Sequence, residues 1–189
     1  MKEVTLFDMF ESHGGRQIDK WEHYFPIYER HLAKFRGKKI RVLELGVDHG
    51  GSLQLWKRYF GAQAEIIGVD IDPAAGFQEP QIKVYLYDQT NPDIATHGPF
   101  DIVIDDGSHR AEDQVLSFEH LWPRCTGVYL IEDCHGHGQG VYPAVRNVGG
   151  LKYLYPWVVV YERPRRMIRG TPSRELREDE VEARKLYGA

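Results

Sequence analysis

Residues 40–52, IRVLELGVDHGGS, run from β-branched and aliphatic side chains into glycines and then into the helical pattern LQLWKRYF. Such a stretch reads as a buried strand, a tight turn and a helix start. Gly46 supplies backbone angles closed to other residues, while Gly50 and Gly51 let a ligand approach the main chain. Ser52 or Gly51 is positioned to cap the following helix, whose first N–H groups have no partner within it. The turn is either a cradle for a nucleotide-like ligand or an ordinary strand-to-helix connection, and on its own it is a weak signal.

The segments on either side of this turn make the fold class legible. Residues 1–39 are rich in aromatics and charges, with Trp21, Tyr24, Phe25, Ile27, Tyr28 and Leu32 near helical spacing, which predicts one or two cap helices. A first strand over 40–45 leads to a helix over 53–60, in which Leu53, Trp56 and Phe60 share a face. Further strands are predicted at 65–70 (EIIGVD), 82–87, 100–105 (FDIVID), 128–131 and 158–161 (VVVY), with a helix before the fifth aligning Val115, Phe118 and Trp122. A seventh strand at 166–169 is expected to pair antiparallel with the sixth, and 173–187 reads as a charged, solvated helix. Strands alternating with helices predict an α/β fold, Rossmann-like and doubly wound, with a mostly parallel sheet and an antiparallel strand at its C-terminal end. The expected organisation is one domain over 1–189: a helical cap at 1–39, a Rossmann-like core at 40–170 and a C-terminal helix at 171–189.

Composition narrows the function classes. A formal charge of −4 and a pI near 6.1 give no general attraction to nucleic acid or anionic membrane, so a small-molecule partner is expected. The first residues lack a signal-peptide core and no run of some 18 apolar residues occurs, which predicts a cytoplasmic protein. Cys125 and Cys134 have neither metal-type spacing nor the number a disulfide framework needs, and both are expected to be reduced and structural.

The chemistry concentrates where the predicted strands end, the edge at which open α/β sheets bind ligands. Strand one ends at Glu44 and Gly46, strand two at Asp70 and Asp72, strand three at Asp88, strand four at Asp105 and Asp106, and strand five at Glu132 and Asp133. Each acid alone is as readily a turn former. Five at one edge are a stronger signal. Asp70, after the second strand, has the reach to accept hydrogen bonds from ribose hydroxyls, which points to a nucleoside. Carboxylates on adjacent strand ends can form an all-oxygen site suited to Mg²⁺ or another hard divalent ion. His109, in the turn GSHRAED, reads either as a proton acceptor near these acids or as a plain helix start.

The order ELGVDHGGS, GVDID, YDQTNP, DIVIDDGSH and YLIED resembles the class I S-adenosylmethionine-dependent methyltransferases, and among them most the macrolide sugar O-methyltransferases of the mycinamicin and tylosin pathways. The resemblance covers roughly residues 13 to 162, and its last two motifs are the most specific. It implies that Glu44, Gly46 and Ser52 hold the methionine end of the cofactor, Asp70 the ribose, and Asp88 and Gln89 the adenine. Asp105 is grouped with these cofactor residues. It further implies Mg²⁺ on Asp106, Glu132 and Asp133, with His109 as base. In the family's E-x-G-x-G-x-G turn the middle glycine is here Asp48, and the family's large extra N-terminal region has no counterpart in this chain. The acceptor expected from the resemblance is a sugar hydroxyl on a glycosylated natural product.

Tyr24, Tyr28 and Tyr142 are candidate sugar contacts, and the loop CHGHGQG, with His135 and His137, is a candidate lid or transition-metal site. Coverage of the site by a neighbouring subunit predicts a homo-oligomer. Two other classes stay open. A nicotinamide-dependent oxidoreductase would want glycine where Asp48 stands and has no use for the acid pair after strand five. A non-catalytic nucleotide-binding or assembly module would need neither base nor metal.

Overall fold

The computed structural model describes residues 4–134 and 148–163. The predicted strand at 166–169, the C-terminal helix, His135, His137 and Tyr142 lie outside them. The elements are α1 (Leu6–Glu11), α2 (Phe25–Leu32), β1 (Arg41–Leu45), α3 (Gly51–Phe60), β2 (Glu65–Asp70), β3 (Gln78–Glu79), β4 (Ile82–Leu86), β5 (Phe100–Asp105), α4 (Ala111–Leu121), β6 (Cys125–Ile131), β7 (Leu151–Tyr155) and β8 (Val158–Glu162).

The strands form one sheet in the order β3-β4-β2-β1-β5-β6-β8-β7. β4, β2, β1, β5 and β6 run parallel, so all five end at the same edge. β1 lies in the middle, and the chain winds outward from it first through β2 and β4, then through β5 and β6. The crevice between β1 and β5 is therefore the topological switch point at which such sheets take ligands. β8 pairs antiparallel with β6, and β7 antiparallel with β8. The antiparallel end of the sheet is thus present, with β7 as the outer partner that the sequence pattern did not single out. β3 is a second unanticipated strand, antiparallel to β4.

Period-two alternation sorts the strand side chains into two cores. Val42, Ile66, Ile102, Ile104, Val128 and Leu130 face α1, α2 and α3, where Leu53, Trp56 and Phe60 pack. Leu43, Leu45, Ile67, Val69, Val103 and Ile131 face α4, against Phe118 and Leu121. Aromatic packing ties the cap to the core: the Trp56 ring meets Tyr28 edge-on at 5.1 Å. Most of the N-terminal aromatic stripe is core, with Tyr24, Phe25, Ile27, Tyr28 and Leu32 all buried. Trp21 is the exception, at 62% exposure.

Between α1 and α2 the chain crosses the start of α3. Arg16 N–H donates to the Gln54 side chain at 2.8 Å, and the Arg16 guanidinium lies 4.1 Å from the Phe77 ring centre. At Gly51 an added Cβ would come within 2.2 Å of the Gln17 carbonyl oxygen, so glycine there is what lets this segment close over the helix start. α3 begins two residues before the predicted helix, and its cap is the left-handed Gly50, with no side chain capping it. Ser52 instead donates from Oγ to Glu44 Oε2 at 2.7 Å.

Candidate active site

The switch-point edge holds two adjoining cavities, of about 600 Å³ and about 230 Å³. Both are bordered by Gly46, Asp70 and Gly107, and they divide there into two lobes. Gly46 has φ +84°, and an added Cβ would stand 2.0 Å from the Asp106 carbonyl oxygen. Only glycine allows β1 and the loop after β5 to approach so closely.

Asp70 organises this turn. Its Oδ2 accepts from Val47 N–H at 2.7 Å and Asp48 N–H at 3.1 Å, and its Oδ1 accepts from Asp72 N–H at 2.8 Å. The glycine turn is thereby fixed to the end of β2, with the Asp70 carboxylate between the two lobes. Asp48 takes φ 46°, the left-handed conformation that glycine adopts most readily. His109 (φ 58°) and Asp133 (φ 49°) are left-handed as well, and all three border the larger cavity. Non-glycine residues held in this region concentrate at functional sites.

The larger lobe carries the charged groups. His109 Nε2 lies 3.2 Å from Asp106 Oδ1 and 3.5 Å from Asp133 Oδ2. One ligand atom from each of the three residues falls within 4.8 Å of the others. The hydrogen bond to Asp106 raises the His109 pKa against its partial burial, with further help from Asp133 and Glu132. Burial pushes Asp106 up, yet Lys20 and His109 outweigh it and hold the carboxyl below its usual range. Tyr24 donates to Asp133 Oδ1 at 2.5 Å and the Trp21 indole N–H donates to the same oxygen at 3.1 Å, which leaves Oδ2 toward His109.

Lys20 is the residue the sequence did not reveal. Its ammonium, 3% exposed, lies 2.5 Å from Asp106 Oδ2, 2.9 Å from Glu132 Oε2 and 3.4 Å from Glu44 Oε1. Burial draws its pKa down, but Asp106 and Glu132, with Tyr28 and Glu44 behind them, raise it well above the ordinary lysine value. Nothing in the local sequence marks it, because its partners come from three distant strand ends. Glu132 is fully buried, and its Oε1 accepts from Tyr28 at 2.6 Å. Its place in the predicted metal set is therefore at the back of the cluster, facing Lys20. Tyr28 belongs to this buried network, which excludes it as a sugar contact; Tyr24 borders the cavity.

Alternation along β5 explains why Asp105 stands apart from the other predicted cofactor residues. Val103 and Asp105 point to the α4 side, and there Asp105 accepts from Gln89 Nε2 at 3.2 Å and Tyr129 at 3.3 Å. It is fully buried, borders neither cavity, and burial raises its pKa to about 7. Its role here is to hold Gln89, whose Oε1 accepts from Ser108 N–H at 2.5 Å. The smaller lobe is bordered by Ile71, Tyr87, Asp88, Gln89 and Ser108. Ile71 is 69% exposed, an apolar side chain beside an open pocket. Asp88 accepts from Thr90 N–H and Oγ, which lowers its pKa. Glu44 is buried beneath the turn and raised by burial against Lys20.

No family model matches the chain. Over 145 residues, 67% of the chain, it is 43% identical to the 8-demethyl-8-(2-methoxy-alpha-L-rhamnosyl)-tetracenomycin-C 3'-O-methyltransferase of Streptomyces olivaceus, and this covers 37% of that protein. Over 143 residues it is 42% identical to the demethylmacrocin O-methyltransferase of Streptomyces fradiae, covering 67% of this chain and 36% of that one. A solved structure of the MycE methyltransferase from the mycinamycin biosynthetic pathway, in complex with Mg and SAH, superposes with a TM-score of 0.73 at 28% identity, over 91% of this chain and 58% of that one. The chain thus spans little more than a third of the curated relatives it matches. The resemblance to the sugar O-methyltransferases holds in sequence, and the architecture is the class I methyltransferase fold.

Proposed function

We propose that this chain is an S-adenosylmethionine-dependent O-methyltransferase that acts, with the help of a divalent ion, on a sugar hydroxyl of a glycosylated natural product. The observation that carries the reading is the meeting of Asp106, His109 and Asp133 in the same cavity as the glycine turn and Asp70. The tetracenomycin-C and demethylmacrocin relatives are O-methyltransferases by name, the former of a rhamnosyl compound, and MycE was solved with Mg and SAH.

The residues present fit the cofactor. A two-lobed cavity pinched at Gly46 and Asp70 suits a ligand with a nucleoside at one end and a small charged chain at the other. Asp70 would hold the ribose between the lobes, the residues around Ile71, Asp88 and Gln89 would flank the adenine, and the Glu44–Ser52 pair would support the turn at the methionine end. Asp105 enters this reading only through Gln89.

The donor set also fits a hard cation. Asp106 and Asp133 present carboxylate oxygens to the cavity, and the acids Glu44, Asp106, Glu132 and Asp133 outnumber the single ammonium of Lys20. An ion held by Asp106 and Asp133, with Glu132 behind them against Lys20, would supply Lewis acidity that lowers the pKa of the acceptor hydroxyl. Transfer from a sulfonium is an in-line displacement, so the protein must align the acceptor and remove its proton. His109, between Asp106 and Asp133, would accept that proton at Nε2 once this nitrogen is released from its bond to Asp106, and the two carboxylates would stabilise the imidazolium that results. Tyr24 and Trp21 fix the orientation of Asp133.

The test is methyl transfer to a candidate glycoside with and without EDTA, in the parent, His109→Ala and Asp133→Asn. Chelator is expected to silence the parent, and His109→Ala to lose roughly a hundred- to ten-thousandfold in turnover. Full activity in chelator removes the ion from the reading, and an active His109→Ala near neutral pH removes the base. A homo-oligomer is part of the proposal; a monomer mass by light scattering at micromolar concentration would withdraw it.

A further inference from the structure

Trp21 carries its ring in the open beside the base. It is 62% exposed and borders the larger cavity together with Tyr24, His109 and Asp133. Its indole N–H is already used, donating to Asp133 Oδ1 at 3.1 Å. The bond holds a large apolar ring at the mouth of the site and leaves most of its surface in water, an arrangement the chain's own core does not need. The aromatics that next follow it in the chain are buried: Tyr24, Phe25 and Tyr28 are at most 3% exposed.

We propose that Trp21 is the platform on which the acceptor's sugar ring stacks, and so a specificity-determining residue. The inference rests on the sugar-methylating reading and names the residue that would select a pyranose for it. A pyranose has a face of C–H groups and a rim of hydroxyls. The indole meets the face, and the neighbouring His109 and Asp133 meet hydroxyls at the rim. A 6-deoxyhexose, with a methyl group in place of the polar exocyclic carbon, extends the apolar area that the indole covers. Because the same side chain donates to Asp133, the platform and the charged cluster are fixed to one another.

Two variants separate the roles. Trp21→Phe keeps an aromatic face and loses the N–H donor; Trp21→Ala loses both. The probe is methyl α-L-rhamnopyranoside, with SAH and Mg²⁺ in excess, and the control is rhamnitol, which carries hydroxyls without a ring face. The rhamnoside is expected to change the parent's tryptophan emission saturably and rhamnitol not to. That change is expected to vanish in Trp21→Phe, since the other tryptophans lie outside the larger cavity's lining. In turnover, Trp21→Ala is expected to raise the KM for the glycoside roughly tenfold, the ratio typical of one lost apolar contact. Trp21→Phe is expected to keep KM within about twofold and to lower kcat through Asp133, while SAH affinity stays at the parental value in both. An equal response to rhamnoside and rhamnitol, or a parental KM in Trp21→Ala, would overturn the stack. If the parent binds the rhamnoside with the Trp21 signal yet transfers no methyl group to any glycoside, the stack stands and the methyltransferase reading fails. Methyl transfer with no Trp21 effect is the reverse.

Discussion

The Nζ of Lys20 lies 2.9 Å from Oε2 of Glu132, 112 positions away, and both side chains are sealed from solvent. The pair joins the N-terminal segment to the end of β6. It also means that the acidic cluster is partly compensated from within the chain. Removing one partner of a buried ion pair leaves an uncompensated charge, which typically costs about 3–5 kcal/mol. Lys20→Met is expected to lose stability on that scale in urea denaturation, because Glu44, Asp106 and Glu132 all lose their counter-ion. A loss below about 1 kcal/mol would show that the acids are neutralised by other means.

The conformation at Asp48 gives a second prediction. With φ at 46°, the residue sits in the left-handed region that favours glycine, and aspartate tolerates that region better than branched residues do. Asp48→Gly is expected to change stability by less than about 1 kcal/mol, while Asp48→Val loses about 1–2 kcal/mol or more. Thermal melting of the two variants checks it, and a valine variant as stable as the parent would contradict the strained turn.

Away from the site, Glu162 links β8 to the cap. It accepts from His31 Nδ1 at 2.5 Å and Lys34 Nζ at 2.9 Å. Burial pushes its carboxyl up, but these two bonds outweigh it and hold the pKa below 4.5. A depressed carboxyl binds fewer protons in the folded state than in the unfolded one. Its stabilisation is therefore complete above pH 4.5 and is lost as the pH falls below that through the folded value. Urea midpoints between about pH 3 and 6 are expected to fall less steeply with acid in Glu162→Gln than in the parent. Parallel curves would remove the linkage.

The thiols make a chemical prediction. Cys125 and Cys134 are both buried, and burial pushes each up to about 12. Neither forms thiolate near neutral pH, so Ellman's reagent at about pH 8 is expected to find no thiol until the protein is unfolded. Rapid labelling of the native protein would mean that β6 opens locally.

Much of the fold is legible in the sequence because strand periodicity and turn residues are local signals. The glycine turn, the five parallel strands and the acids at their ends can be read in order along the chain. Asp70, Asp106, His109 and Asp133 converge as their positions at strand ends require. Asp105 groups with them in the sequence because it is one residue from Asp106, but a single step along a strand reverses the face. Ser52 reads as a cap since it follows Gly51, yet the left-handed Gly50 starts the helix and frees the hydroxyl for Glu44. Lys20 and Trp21 are illegible as site residues for another reason. Their roles exist only once the N-terminal segment is laid over α3, and the partners they then meet are as far as 112 positions away. β7 escapes notice because Leu151–Tyr155 is only partly buried and alternates weakly.

Nucleoside binding at Asp70 is the central claim, and isothermal titration of SAH into the parent and Asp70→Ala measures it without requiring an acceptor. One binding site is expected in the parent. In Asp70→Ala, loss of a charged acceptor of the ribose hydroxyls should weaken it by about 1.5–3 kcal/mol, roughly ten- to a hundredfold. NAD is expected to give no heat with either protein. Equal SAH affinity in the two proteins would contradict the ribose assignment, and heat with NAD but none with SAH would contradict the methyltransferase reading as a whole.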